Sequence, residues 1–431
     1  MASAAGQADY FRVEGGSPLQ GEFRVQGAKN AVLKQMAATI LASGEHHLYN
    51  VPRIVDVEIM AELLASMGIS SQWEGEDHLV VVTPPASEIK PFADYELVEK
   101  IRASVTVLGP LIARLGNATI SMPGGDDFGH RPIDMHLAAI AELGAAFSTS
   151  HGYVEGKAAR LRGAEIALEF PSHTGTDNVL MAAVLAEGTT TIANCAREPE
   201  VSDLAHMLNS MGARISGMGT STLTVEGVPS LRPASHTIIP DRIDASTALG
   251  AVGMNQGEVL LRGAKAEHME MLLRKLRELG LEIRQDAAGL VARSAERLRA
   301  ASISSLPYPG IATDFLPILV AVLSTADGDA IVTENIFAGR FKYVDELRRL
   351  GAKMATHGHH VAIRGVPRLQ GAPVKATDIR AGAALVVAAL AAEGESRVYG
   401  TGHIDRGYVD LPRRLSALGG TVERCSERAR G

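Results

Sequence analysis

Cysteine is nearly absent: Cys195 and Cys425 are the two in 431 residues, which excludes a disulfide framework. Long apolar runs are absent as well. The longest, such as 381–392, are too short to cross a bilayer, so no membrane partner is expected. The stretch Met1 to Tyr10 has no basic region followed by an apolar one; no secretory signal is read there, and the cytoplasm is the expected compartment. Positive charge is not in excess, since the formal net charge is -7, and this weighs against a nucleic-acid partner. No Gly-x-Gly-x-x-Gly fingerprint follows a strand, which argues against a single doubly wound dinucleotide-binding sheet. The pair His46-His47 and the group His357, His359 and His360 lack carboxylate or cysteine partners at ligand spacing. They read as solvated turns, and neither a metal nor a cofactor is expected.

What the chain does have is a sixfold internal repeat. Glycines 44, 116, 188, 257, 328 and 394 each open a short alternating strand, and glycines 68, 144, 212, 280, 351 and 419 each end a helix after Leu or Met. The second set recurs at roughly 70-residue intervals, and Gly at that place fits a left-handed helix C-cap. Helical periodicity is clear over 30–41, 55–67, 178–186, 201–211, 265–279, 313–323 and 379–392, with strands at 189–193, 258–262, 330–333 and 397–399 between them. Each repeat reads as two strand-helix units plus one extra strand. Such a unit cannot bury both faces alone. Three would associate around their helices, and six would make two similar α/β domains, which suits a chain with 46% hydrophobic residues that is too long for one core.

The stretch from Pro123 to His136 packs a Gly124-Gly125 pair, Asp126, Asp127 and Arg131-Pro132 into fourteen residues. It reads as a lid carrying a proton donor and a fixed cation. The competing reading has Asp126 or Asp127 merely capping the helix that begins near Pro132.

Nine stretches occur in one order: Gly27-Ala28-Lys29-Asn30-Ala31, Ile101-Arg102-Ala103-Ser104, the 124–136 loop, Ala196-Arg197-Glu198-Pro199-Glu200, Pro240-Asp241-Arg242-Ile243, Thr313-Asp314, Arg340-Phe341, Ala376-Thr377-Asp378-Ile379-Arg380 and His403-Ile404-Asp405-Arg406-Gly407-Tyr408. Together they resemble the UDP-N-acetylglucosamine 1-carboxyvinyltransferases, a family of enolpyruvyl transferases, from about Phe11 to Glu423. The resemblance implies the α/β enolpyruvyl transferase fold: two inside-out α/β domains, each of three repeated strand-helix units. One domain would cover 29–238 with a catalytic lid loop at 124–129, the other 1–28 plus 239–431, with the active site in the cleft between them. The implied reaction moves the enolpyruvyl group of phosphoenolpyruvate to the 3-hydroxyl of UDP-N-acetylglucosamine and releases phosphate, the first committed step of peptidoglycan synthesis. Both substrates are small molecules; the oligomeric state stays open.

Residue by residue, the resemblance implies Asp126 and Asp314 as catalytic groups, with Asp314 as base. Phosphoenolpyruvate would meet Lys29, Asn30, Arg102, Arg131, Arg380 and Arg406. Several cations are needed, because one close charge pair is worth at most roughly 4 kcal/mol at 4 Å and an effective dielectric near 20. UDP-N-acetylglucosamine would meet Asn30, Arg102, Arg131, Pro132, Ile133, Asp134, Met135, Phe170, Ser172, His173, Asp314 and Ile336, while Asp378 would line the cleft beside Arg380. The plain alternative for Asp314 is a helix N-cap. Two departures stand out. Asp126 occupies the place where the commonest form of the family has a lid cysteine. In Phe170-Pro171-Ser172-His173-Thr174-Gly175-Thr176, a phenylalanine replaces the lysine of many relatives, leaving His173 either to supply that cation or to be a solvated loop residue. Three other readings remain open: an enolpyruvyl transferase for another uridine nucleotide, the shikimate-pathway enzyme, and a catalytically silent UDP-sugar sensor.

Overall fold

The computed structural model describes residues 7–122, 133–337 and 339–428. Their packing divides into two units, one from Gly27 to Ile239 and the other combining the N-terminal segment through Gln26 with the residues from Pro240 onward.

Each unit contains three four-stranded sheets of one topology. In one of them Glu165–Ala167 runs parallel to Thr189–Ala193, which pairs antiparallel with Thr222–Glu226, itself antiparallel to the edge strand Arg214–Ser216. Between the first two strands lies the helix His173–Ala183, and between the second strand and the hairpin lies Pro199–Ser210. A repeat is therefore two strand-helix units plus two strands, one more than the sequence pattern indicates. The missed strand is the outermost one, which buries a single residue, as in Arg214–Ser216 and Lys353–His357. All twelve repeat glycines have positive φ, so the sequence period and the backbone period coincide.

The two helices of each repeat differ in kind. Glu270–Leu279 is amphipathic, burying Leu272, Leu273, Leu276 and Leu279 while Arg274 and Glu270 pair at 3.1 Å outside. Ile379–Leu390 is buried at all twelve positions, and Leu316–Thr325 and Arg242–Asn255 are nearly so. A helix apolar all round belongs at the centre, and these three pack on one another with the sheets outside them. Their approach is close. A Cβ built on Gly250 would lie 2.3 Å from Ile318, and one on Gly109, in the other unit, 2.2 Å from the Asn178 carbonyl oxygen. Only glycine fits at these two crossings.

Three sheets borrow a strand from far along the chain. Ser235–Thr237 completes the sheet of Gly44–Tyr49, and Leu19–Arg24 completes that of Gly257–Arg262. Gln7–Glu14 lies between Glu395–Tyr399 and Thr421–Arg428. Gln26, at the end of the N-terminal segment, is tied in by Asp244 Oδ2, which accepts from its backbone N–H at 3.1 Å, and by Arg414, which pairs with Asp244 at 2.6 Å. Among the described residues no helix is long and apolar enough to cross a membrane.

Candidate active site

Helix starts leave backbone N–H groups unpaired and favour anions. The site residues suggested by the sequence fall mostly on these starts. In the unit from Gly27 to Ile239, Lys29 opens the helix Lys29–Ala38, and its ammonium stands 2.9 Å from the carboxylate of buried Asp56. Asn30 follows it. Farther along the same helix Lys34, also buried, donates to the Asn30 carbonyl and lies 3.3 Å from His173 Nε2 and 3.5 Å from Asp177 Oδ2. His173 Nε2 is 3.5 Å from that same oxygen.

The turn before His173 is built locally. Ser172 caps the helix His173–Ala183 by accepting from the Gly175 N–H at 3.1 Å, and a Cβ at Gly175 would meet both Ser172 and the Met135 sulfur. Met135 thus lies beside the Ser172 turn, with Ile133 buried and Asp134 exposed at the start of Asp134–Glu142. Phe170 is 40% exposed. Arg102 opens the short helix Arg102–Val107 near His136. Burial, and then the Arg102 charge, pull His136 down to about 4. As a neutral ring its Nδ1 accepts from Asn178 Nδ2 at 3.1 Å, and Asn178 also donates to Val105 and accepts from the Gly109 N–H. One amide therefore locks the Arg102 segment to the His173 helix.

Asp177 carries a testable charge state. Burial, opposed by Lys34 and reinforced by Glu198 and Glu200, pushes its carboxyl up to about 7, and burial likewise lowers Lys34. Its folded pKa lies above the unfolded value of 3.8, so the native state holds this proton more tightly. Stability from this group is present in full below about pH 4 and is lost as pH rises to about 7. Urea unfolding between those limits should show wild type losing stability relative to Asp177→Asn, by up to about 1.4 kcal/mol per pH unit. Parallel curves would remove the assignment.

The second unit supplies the other cluster. Asp314, in the turn Thr313–Phe315 ahead of Leu316–Thr325, places Oδ1 2.7 Å from Arg340 Nη1 and Oδ2 3.6 Å from Arg380 Nε. It is not the cap. Ala312 and Phe315 hold the N-cap positions of the two helical segments, without side-chain cap bonds, and the carboxylate faces guanidiniums instead. Arg340 also donates to Thr313 Oγ1 at 2.9 Å, and Thr313 donates to the buried carboxylate of Glu334. Glu334 Oε1 accepts from the backbone N–H of Ile336 at 2.7 Å and Phe337 at 3.2 Å, which fixes the loop bearing Ile336.

Arg380 is 4% exposed, with its guanidinium 5.3 Å from the Tyr408 ring. Burial opposes its charge, but Tyr408, Asp241 and Asp314 outweigh that and hold it above its ordinary range. Its Nη1 has no hydrogen-bond partner among the described residues. Asp378 caps Ile379–Leu390 by accepting from the Arg380 and Ala381 N–H groups at 2.9 and 3.0 Å. Arg406 ends the helix Thr401–Asp405, in a turn clamped by Gln26, whose side chain donates to Gly407 O and accepts from the Val409 N–H, both at 2.9 Å.

The family model described as EPSP synthase (3-phosphoshikimate 1-carboxyvinyltransferase) matches residues 13–415. The UDP-N-acetylglucosamine 1-carboxyvinyltransferase of Nocardia farcinica is 49% identical over 418 residues, 96% of this chain and 98% of that protein. That of Mycobacterium tuberculosis is 47% identical over 417 residues, 97% and 99% of the two chains. The chain belongs to the UDP-N-acetylglucosamine 1-carboxyvinyltransferase family. Among solved structures, the enolpyruvyl transferase NikO from Streptomyces tendae matches with a TM-score of 0.87 at 26% identity, covering 98% of this chain and 100% of that one. An EPSP synthase from Acinetobacter baumannii, 17% identical, shares the fold at a TM-score of 0.76, over 97% of this chain and 100% of that one. The enolpyruvyl transferase fold expected from the sequence is thereby established.

Within this family member, the structure brings Asn30 and His173 together through Lys34, and Arg340 and Arg380 together on Asp314. The lid loop 124–129, with Asp126 and Asp127, and also Arg131 and Pro132, lies outside the described residues. His173 is not a solvated loop residue: it is the first residue of a helix, its side chain 19% exposed against Lys34. Lys34, Asp177 and Glu334 escaped the sequence reading. Lys34 and Asp177 each stand four positions after a named residue, Asn30 and His173, which puts them on the same helix face. Glu334 had no such signal, and Arg340 was visible only as half of a dipeptide.

Proposed function

We propose that this chain transfers the enolpyruvyl group of phosphoenolpyruvate to the 3-hydroxyl of UDP-N-acetylglucosamine with release of phosphate, in the cytoplasm, as the first committed step of peptidoglycan synthesis. Family membership over nearly the whole chain supports the reaction type. The single structural observation that carries the reading is Asp314 held between two buried arginines, one of which, Arg380, keeps a buried guanidinium nitrogen without a hydrogen-bond partner among the described residues. A buried cationic N–H is costly to leave unpaired, and an anionic substrate satisfies it.

In this reading Lys29, Arg102, Arg131, Arg380 and Arg406 meet the carboxylate and phosphate of phosphoenolpyruvate, the guanidiniums in bidentate fashion. Asn30 meets the N-acetyl group. Pro132, Ile133, Asp134, Met135 and Ile336 hold the uridine, with Phe170, Ser172 and His173 near the nucleotide. The 3-hydroxyl oxygen bonds to the enol ether carbon while its proton passes to Asp314, and Asp126 delivers a proton to the methylene carbon. Elimination then breaks the carbon–oxygen bond to phosphate as the methylene carbon gives a proton back. The cations stabilise the charge that develops on the departing phosphate.

Phosphate release from phosphoenolpyruvate tests the proposal directly. Turnover is expected with UDP-N-acetylglucosamine and not with UMP. Turnover with UMP alone would move the assignment to another uridine nucleotide, for which the altered Ser172-His173-Thr174 turn is the supporting feature. No release with either acceptor would leave a UDP-sugar sensor. Arg406→Ala should lower kcat/KM for phosphoenolpyruvate by about tenfold or more while the affinity for UDP-N-acetylglucosamine changes little.

A further inference from the structure

Sequence spacing gave no metal site, and the pair His46-His47 read as a solvated turn. The structure places both histidines in the strand Gly44–Tyr49 instead. His46 is fully buried, its Nε2 3.0 Å from Ala42 O and its Nδ1 accepting from the Ala234 N–H, so it is a core residue. His47 is not. Its Nδ1 faces His78 Nε2 at 3.1 Å, and the ligand atoms of His47, His78 and Glu74 all lie within 4.8 Å of one another. None of the three belongs to either cluster described above.

We propose that His47, His78 and Glu74 form a binding site for a divalent transition-metal ion of the zinc type. Two imidazole nitrogens bound to one tetrahedral zinc at about 2.0–2.1 Å stand roughly 3.3 Å apart, close to the separation already present. His47 also has a carboxylate at its other nitrogen: Glu45 Oε1 is 3.0 Å from His47 Nε2. Carboxylates so placed set the tautomer and orientation of metal-binding imidazoles. Glu74 Oε2, 3.4 Å from His78 Nδ1, belongs to an exposed side chain that a change of rotamer carries to the metal, and solvent completes the shell.

The scaffold is rigid. His47 pairs with Val80 across the sheet, His78 immediately precedes the strand Leu79–Thr83, and the Glu74 N–H donates to His78 O at 2.8 Å to close the hairpin. Tyr49 stacks on His78 with ring centroids 4.3 Å apart. Sequence spacing could not reveal the site, because its residues meet across strands rather than along a helix.

The experiment uses the full chain freed of metal and of any histidine tag. Zn²⁺ titration by calorimetry and Co²⁺ titration by visible absorption should each give one equivalent per chain, the cobalt spectrum having the intensity of a low-coordinate site. His47→Gln and His78→Gln should each weaken binding at least tenfold, and Glu45→Gln by a smaller factor. His359→Gln, on a different hairpin, should leave it unchanged. Zn²⁺ should raise the thermal midpoint of wild type and not of His47→Gln. No binding by wild type at 100-fold excess of metal, or equal binding by both histidine variants, would overturn the proposal and leave a hydrogen-bonded imidazole pair.

Discussion

Asp314→Asn is expected to lower kcat by roughly 10²–10⁴, the usual worth of a positioned general base, while the protein stays folded and binds UDP-N-acetylglucosamine. The geometry explains why the two effects separate. The amide oxygen of asparagine can still accept from Arg340 Nη1, and Arg340 keeps its bond to Thr313 and the nearby charges of Asp378 and Glu334. Losing the charge on one partner of a hydrogen-bonded pair costs roughly 1–3 kcal/mol, which a fold with two large cores tolerates. A proton acceptor has no such substitute. Steady-state phosphate release, urea unfolding and calorimetric binding of the sugar nucleotide on one preparation separate the outcomes. Wild-type turnover in the variant would show that Asp314 only anchors the two arginines.

The other large effect concerns Asp126. Within the family the epoxide antibiotic fosfomycin acts by alkylating the lid cysteine, and a thiolate attacks carbon far faster than a carboxylate does. The wild-type protein should therefore resist the drug. Asp126→Cys should keep substantial turnover, because a thiol can also deliver a proton, and should acquire time-dependent inactivation. Asp126→Ala should lose most activity, and Asp126→Asn should do the same with shape preserved, which isolates the proton. Asp127→Ala should cost little. Turnover and inactivation rates across the four variants decide the matter. A drug-sensitive wild type would contradict the assignment, as would a dead Asp127→Ala beside an active Asp126→Ala.

Much of the architecture was legible because it repeats. Glycine at the end of each outer helix marks a backbone geometry that other residues adopt only with strain, so the period survived in the sequence even where side chains differ. Helix ends were less visible. The helix predicted over 178–186 begins at His173, because its first turn, with Thr174, Gly175 and Thr176, has no apolar periodicity and is defined by the Ser172 cap. The helix predicted from 265 begins at Glu270, after a separate short turn, Ala266–His268. At the site, the positions of Lys29, Arg102, Asp314 and Arg380 at helix starts follow from chain order. What holds them does not: Asp56, Lys34, Glu334 and the His47–His78 pair meet through tertiary contacts between residues 21 to 139 positions apart, and pattern along the chain carries no trace of that.

The strand Gln7–Glu14 sits in the middle of a sheet whose other members lie near the far end of the chain; Arg12 and Glu423, 411 positions apart, are joined at 2.8 Å. During synthesis this strand leaves the ribosome long before its partners Glu395–Tyr399 and Thr421–Arg428. The unit from Gly27 to Ile239 draws all its strands from within its own span, so it can close while the opening strand still waits with both edges unpaired. Birth order and folding order are thus inverted for the second unit, and a nascent chain released after Ile239 would hold one closed unit and two strands, Gln7–Glu14 and Leu19–Arg24, with nothing to pair with.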